Sequence, residues 1–315
     1  KILIVLLVLL VSSSMGQVTE QWVQRYCGPG SSSDGGSALK VDNDGNVFIL
    51  GTTSNGSTTD FITIKYNSSG VMQWLQIYDG TGNSVDRGSA ITIDEEGNVY
   101  VSGFSTGVGS RYDFTTIKYD SLGILKWVQR YNGPGGMDDM PAAISVDNSG
   151  NVYVTGWCSA GVLFDDYATV KYNSEGVLQW IQRYNGTGSN QDQARSIAID
   201  VTGNVYVTGS SYGITSGYDY ATVKYNPLGD SLWVRRYNGQ VGGADGASLI
   251  SIDPQGNIIV AGNSEGSNLL DTNSDFVTIK YNSAGVQQWV QRYAGPSNRY
   301  DDINALDVDV LGNVY

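Results

Sequence analysis

From Trp22 onward the chain is a succession of short apolar runs rich in Val, Ile, Tyr, Phe and Thr, cut at regular intervals by Gly, Asn and Asp. Such runs predict strands, because β-branched and aromatic side chains suit a pleated, half-buried surface. In one representative stretch they fall at Ser89 to Asp94 (a), Asn98 to Phe104 (b), Asp113 to Tyr119 (c) and Ile124 to Tyr131 (d). Between a and b stands D-x-x-G-N, as in Asp147-Asn148-Ser149-Gly150-Asn151; between c and d stands [ND]-x-x-G, as in Asn173-Ser174-Glu175-Gly176. Both have hairpin-turn chemistry, with Asp or Asn able to bond its own backbone and Gly free to take positive φ. No segment carries a helical period.

The four-run unit repeats. Anchor tryptophans stand at Trp22, Trp74, Trp127, Trp180, Trp233 and Trp289, at intervals of 52, 53, 53, 53 and 56 residues. Twelve residues after each comes an Asp: Asp34, Asp86, Asp139, Asp192, Asp245 and Asp301. A second Asp follows at +20, then Gly-Asn at +23 and +24, without a slip in any copy. A third phrase, D-[FY]-x-T-[IV]-K-Y, begins at Asp60, Asp113, Asp166, Asp219 and Asp275, always 14 residues before the next tryptophan. Length variation is thereby confined to the b-c connection. Four antiparallel strands repeated with no helix predict an all-β fold, a β-propeller of blades about 53 residues long. The count is a lone d strand near Gln21 to Tyr26, five complete blades, and the a and b strands of a sixth.

Composition narrows the chemistry. The 315 residues include 41 Gly, 21 Tyr and 7 Trp but no His, and carry a net charge of -13. Without His, the usual general base and the commonest zinc ligand are missing. The acidic excess disfavours nucleic acid and anionic membranes. Residues 1 to 16 open with KILIVLLVLLV and read as a secretory signal peptide, too short in its apolar run to span a bilayer. The propeller domain is expected over 17 to 315, within a longer reading frame. Cys27 and Cys158 lie at different points of non-neighbouring copies, so two free thiols are expected.

The phrases VD-x-x-GNVYVTG from Val146 to Gly156, DYATVKYN-x-x-G from Asp166 to Gly176, and WVQRYNGPG from Trp127 to Gly135 resemble the SBBP repeat, a bacterial family named for a presumed seven-bladed β-propeller. The resemblance covers Trp22 to Tyr315. It implies an exported or cell-surface bacterial protein, often modular, and supplies no catalytic residue. Departures are Ile77 for the Arg of QRY, Cys27 for the Asn after Tyr, and a looser stretch at Gly246-Ala247.

The candidate chemistry is sparse. Asp42-Asn43-Asp44-Gly45-Asn46 has a calcium-loop look, but in the other copies the central pair is Glu-Glu, Asn-Ser, Val-Thr, Pro-Gln or Val-Leu and the ligand count collapses, so a structural turn is expected. Pairing c with d symmetrically about a four-residue turn sets Asp113 opposite Arg130, Asp166 opposite Arg183, Asp219 opposite Arg236 and Asp275 opposite Arg292, while Asp60 faces Ile77. Cross-strand salt bridges are expected at the first four, each worth about 0.2 to 1 kcal/mol. The anchor tryptophans are expected to pack between blades. The +12 Asp set is expected to cap backbone amides in the d-a loop, with a cation held around a central channel as the alternative.

In a four-stranded meander both tight turns lie at one end and the d-a and b-c connections at the other. The variable b-c loops carry Arg111, Tyr112, Trp157, Phe164, Tyr212, Tyr218, Leu269 and Leu270, which form the candidate binding face. The expected function is a non-enzymatic, secreted or surface-bound scaffold that binds a protein or polysaccharide partner, with no cofactor, no metal and no membrane insertion of the mature form. Two alternatives stand beside it. One is a polysaccharide hydrolase or lyase working through Asp carboxylates; the other is a spacer displaying a downstream domain. The sameness of the Asp set speaks against the first, since acid and base need different surroundings.

Overall fold

A computed structural model describes residues 20–28, 33–159, 161, 164–188, 190–239, 243–265, 274–296 and 301–315. The leader sequence expected over 1 to 16 lies outside these. Twenty strands form five four-stranded antiparallel sheets, each a meander in chain order. The first holds β1 Gly35–Val41, β2 Val47–Ser54, β3 Thr59–Tyr66 and β4 Met72–Tyr78. The second holds β5 Asp86–Ile93, β6 Val99–Thr106, β7 Tyr112–Tyr119 and β8 Leu125–Tyr131. The third holds β9 Asp139–Val146, β10 Val152–Ser159, β11 Asp165–Tyr172 and β12 Leu178–Tyr184. The fourth is β13 Asp192–Ile199, β14 Val205–Gly213, β15 Gly217–Tyr225 and β16 Ser231–Tyr237; the fifth is β17 Asp245–Ile252, β18 Ile258–Glu265, β19 Ser274–Tyr281 and β20 Gln287–Tyr293. These are the five complete blades.

Each sheet packs on the next along the chain, with the a strands adjacent: β1 on β5, β5 on β9, β9 on β13 and β13 on β17. The core accordingly lies between blades. Tyr100 and Phe114 of the second blade share one cluster with Val152, Val154, Val170 and Tyr172 of the third. Because both faces of a sheet are covered, the b and c strands are buried at nearly every position, as in β7 and β11.

The anchor tryptophan locks one blade to its successor. Trp127 lies between Tyr100 of its own blade and Tyr172 of the next, ring centres 6.3 and 6.1 Å away. Its indole N–H donates to the Ser174 carbonyl in the next c-d turn at 3.0 Å, and Lys118 Nζ donates to that same oxygen at 3.2 Å. The pair recurs: Trp74 and Lys65 on Ser121 O, Trp180 and Lys171 on Pro227 O, Trp233 and Lys224 on Ser283 O. On its way each Lys passes over an aromatic ring, Phe48, Tyr100, Tyr153 or Tyr206, at 4.9 to 5.1 Å.

The turn Gly makes this contact possible. Gly176 has φ +81°, and a Cβ built there would lie 2.8 Å from Trp127. In strand b, Gly156 meets a second constraint: its Cβ would come within 2.1 Å of the Met140 carbonyl, where the a strand bulges.

The chain ends depart from expectation. Residues 20–28 form no ladder, yet Trp22 takes the anchor place on the first blade, donating to Ser68 O at 3.1 Å and packing on Tyr66 and Gly70. The a and b strands of a sixth blade reduce to one bridge, Val308 with Val314, around the Asp309 turn. Hairpin bonds alone do not hold a strand pair that has no covered face.

Gly176→Ala and Gly256→Ala separate strain from packing. Gly256, φ +78°, has nothing near its would-be Cβ. Its replacement should cost about 1 to 2 kcal/mol, the ordinary left-handed penalty. Gly176→Ala, which also displaces Trp127, should cost measurably more in denaturant unfolding; equal losses would refute the wedge.

Candidate functional site

The two ends of the blades differ in chemistry. At the tight-turn end every a-b turn satisfies itself. Asp147 Oδ1 accepts from the amides of Ser149 and Asn151, and Oδ2 accepts from Asn151 Nδ2 and the Tyr153 hydroxyl, at 2.8 to 2.9 Å. Asp42, Asp94, Asp200, Asp253 and Asp309 take the same turn bonds. With both oxygens of each Asp engaged by its own turn, these are structural turns; Asp42 makes one bond fewer, because Phe48 has no hydroxyl to supply it. In the fifth blade Ile259 replaces the Tyr, and Lys280 fills the gap with an ion pair to Asp253 at 2.7 Å.

At the other end, the expected salt bridges form through a different register. Arg130 meets Asp113 at 2.8 Å, Arg183 meets Asp166 at 2.6 Å, Arg236 meets Asp219 at 2.6 Å and Arg292 meets Asp275 at 2.9 Å. The residue directly opposite Arg130 is Thr115, and Asp113 is its diagonal neighbour. A five-residue turn closed by Asp120 and Ile124, plus a bulge between Lys118 and Tyr119, slides d by two residues in total. An even shift preserves the face, so the ion pairs survive where a single-residue slip would have separated them. Arg130 and Arg236 also donate to the b-strand hydroxyls of Ser105 and Ser211. In the third blade Cys158 occupies that place, and burial pushes its thiol up to about 11. Cys158 is buried, Cys27 exposed, and both are free.

The +12 Asp opens strand a in the complete blades after the first; it does not sit within the d-a loop as expected. Asp86, Asp139 and Asp192 are fully buried. Each accepts from the Gly amide six residues earlier: Gly80 to Asp86 at 2.7 Å, Gly133 to Asp139 at 2.6 Å, Gly186 to Asp192 at 2.7 Å, with Asp34, Asp245 and Asp301 alike. The amide-capping role is thus the observed one, and these buried carboxylates do not line an open channel. Their surroundings are less uniform than the sequence suggests. Burial pushes Asp139 up to about 6, with Asp113 adding to the rise, whereas the Gly28 amide and Thr53 hydroxyl hold Asp34 low.

The eight candidate binding residues are less loop-like than expected. Tyr112, Trp157, Tyr212 and Tyr218 belong to strands, because the b-c hairpins run almost to their tips. Tyr212 pairs with Tyr218 edge-on, ring centres 5.3 Å apart, and Tyr112 lies on Phe104 at 4.7 Å. Trp157 and Phe164 are half-buried. Exposed Arg111 reaches Asp138, in the connection to the next blade, at 3.1 Å. Leu269 and Leu270 lie outside the described residues. What sequence reasoning missed is the groove between the fourth and fifth blades, about 360 Å³, where Tyr218 faces Gln191, Gln193, Ser210 and Asn263. Gln193 and Ser210 are paired within the fourth blade, and the packing of the fifth blade on it brings in Asn263.

The buried carboxylates set a pH dependence. Asp139 is protonated in the fold up to about pH 6 and in the unfolded chain only to about 4. Folding therefore takes up a proton in that window, and the stability it confers is full below about pH 4 and lost as pH rises through 6. Thermal stability should fall from pH 4.5 to 6.5, by up to about 2 to 3 kcal/mol for this group. Asp139→Asn, which keeps an acceptor for Gly133, should flatten that slope; an unchanged slope would contradict the assignment.

Comparison with known proteins agrees with the fold. No curated protein matches the sequence. Among solved structures, the polysaccharide lyase Uly1 is similar at 11% identity and TM-score 0.50, over 90% of this chain and 76% of that one. The quinohemoprotein alcohol dehydrogenase ADHIIG from Pseudomonas putida HK5 is similar at 10% identity and TM-score 0.48, over 81% of this chain and 52% of that one. A glucose dehydrogenase is similar at 9% identity and TM-score 0.46, over 90% and 95%. This chain thus spans about half the length of the alcohol dehydrogenase. Among the described residues no helix is long and apolar enough to cross a membrane. Residues 179–214 match the SBBP beta-propeller repeat, and the phrases of that stretch recur at the same offsets in the other copies.

Proposed function

We propose that this propeller is an exported, non-enzymatic scaffold that binds an uncharged polysaccharide at the end of the blades bearing the b-c and d-a connections. The observation that carries the reading is the groove beside Tyr218. It sets Tyr218 beside the amide side chains Gln191, Gln193 and Asn263 and the Ser210 hydroxyl, with the buried Asp245 as the one acidic residue of its lining. Aromatic faces with neutral donors and acceptors are what the apolar faces and hydroxyls of a sugar chain require. A net charge of -13 disfavours acidic glycans. The leader-like residues 1 to 16 support export.

The hydrolase alternative asks for an accessible acid and base. The +12 carboxylates that would serve, Asp86, Asp139 and Asp192, have no exposed surface and spend an oxygen on a backbone amide. The likeness to Uly1 is one of architecture, at an identity that carries no residue roles. Tyr218→Ala should weaken binding to neutral glycans on an array by about tenfold or more, roughly 1.4 kcal/mol. Thermal unfolding should barely move. Full binding by that variant, or capture of protein partners alone, would defeat the glycan reading; release of reducing ends from any bound glycan would defeat the non-enzymatic one.

A further inference from the structure

At each junction between consecutive blades, the c-strand Asp of one blade comes near the a-strand Asp of the next. Asp139 is raised by Asp113, Asp166 by Asp192 and Asp245 by Asp219, each after the larger effect of burial. At these junctions the c-strand Asp keeps an arginine on one oxygen: Arg130, Arg183 or Arg236. The first junction breaks the pattern twice. Ile77 stands at the arginine position, and Asp79 stands where the later copies have Asn132, Asn185 and Asn238. A positive charge is exchanged for none, and a neutral side chain for a negative one.

The local geometry answers that imbalance. Asp60, Asp79 and Asp86 each bring one carboxylate oxygen to within 4.8 Å of the others. Asp60 is 7% exposed and Asp86 fully buried, and Oδ1 of each has no hydrogen-bond partner. Unpartnered Oδ1 atoms recur at the later junctions, on Asp113, Asp139, Asp166, Asp219 and Asp245, but there a guanidinium sits on the other oxygen of the c-strand Asp; at Asp60 no guanidinium is present. Asp79 is exposed and gives a way in from solvent. Two oxygens bound to one calcium ion, at about 2.3 to 2.6 Å each, lie at most about 5 Å apart, whereas a magnesium shell at about 2.1 Å is tighter and demands regular octahedral geometry.

We propose that Asp60, Asp79 and Asp86 bind a calcium ion that ties the first blade to the second, the cation standing in for the arginine of the later junctions. Asp60 and Asp79 come from the first blade and its exit, and Asp86 opens the second blade, so the ion acts across the junction.

The test uses the whole chain stripped with chelator. Calorimetric titration with calcium chloride should show one ion per chain, and thermal unfolding should rise by several degrees in about 1 mM calcium but not in magnesium. Asp79→Asn, at an exposed position, should fold, bind calcium at least about tenfold more weakly and lose most of the thermal shift. Ile77→Arg restores the residue used at the other junctions; it should raise the melting temperature of the chelated protein and abolish the calcium response. Absence of binding in the unmodified chain up to about 5 mM calcium, or a response that Asp79→Asn leaves intact, overturns the proposal. The outcome is independent of whether the propeller binds glycan, since neither substitution touches the Tyr218 groove.

Discussion

The fold depends on a single carbonyl oxygen in the c-d turn of each blade after the first, which receives an indole N–H and an ammonium from the blade before. A hydrogen bond of this kind is worth only about 0.5 to 1.5 kcal/mol net. Its importance is positional. It fixes where the tryptophan stops, and the tryptophan in turn fixes how two sheets, each apolar on both faces, bury one another. Because each core cluster is shared by two blades, a lone blade would expose tyrosines such as Tyr153 and Tyr167 that are fully buried in the array.

Sequence made the architecture plain because the spacing of Trp, Asp and Gly is nearly invariant, and a fixed spacing in four short strands leaves few ways to cover both faces of a sheet. It was less clear about register. The ion pair of Asp113 with Arg130 was foreseeable, but the diagonal geometry behind it depends on a bulge at Lys118 and a five-residue turn that no residue type announces. Strand ends were misjudged for a related reason. Tyr212 and Tyr218 sit among Gly and Ser and read as loop, yet they pair across the b-c hairpin and lengthen it. Burial of the +12 Asp was also hidden, since an acidic residue in a Gly-rich connection looks solvated until the neighbouring blade closes over it.

Substitutions within the repeat report what each position does. Lys280, which has no following c-d turn among the described residues, bonds the turn Asp253, whereas Lys65, beside Phe48 and likewise without a Tyr hydroxyl, still reaches the Ser121 carbonyl. Where Ser is replaced by Cys158, Arg183 lacks the bond from a terminal guanidinium nitrogen that Arg130 and Arg236 give to Ser105 and Ser211, and keeps its ion pair with Asp166. Where Arg is replaced by Ile77, three carboxylates gather instead. The other copies, which share the same strand order and the same turn positions, give the comparison against which each change is read.

The blade-to-blade lock has a direction. One side of every unit offers the indole and the ammonium, and the opposite side offers the turn oxygen and the glycine that makes room. Units joined in this way add in one sense only, much as monomers add to a polar filament, and any unit fits behind any other. Duplication or loss of a whole 53-residue coding segment therefore leaves every remaining joint chemically matched, so the number of blades can change in evolution without redesign of a single contact.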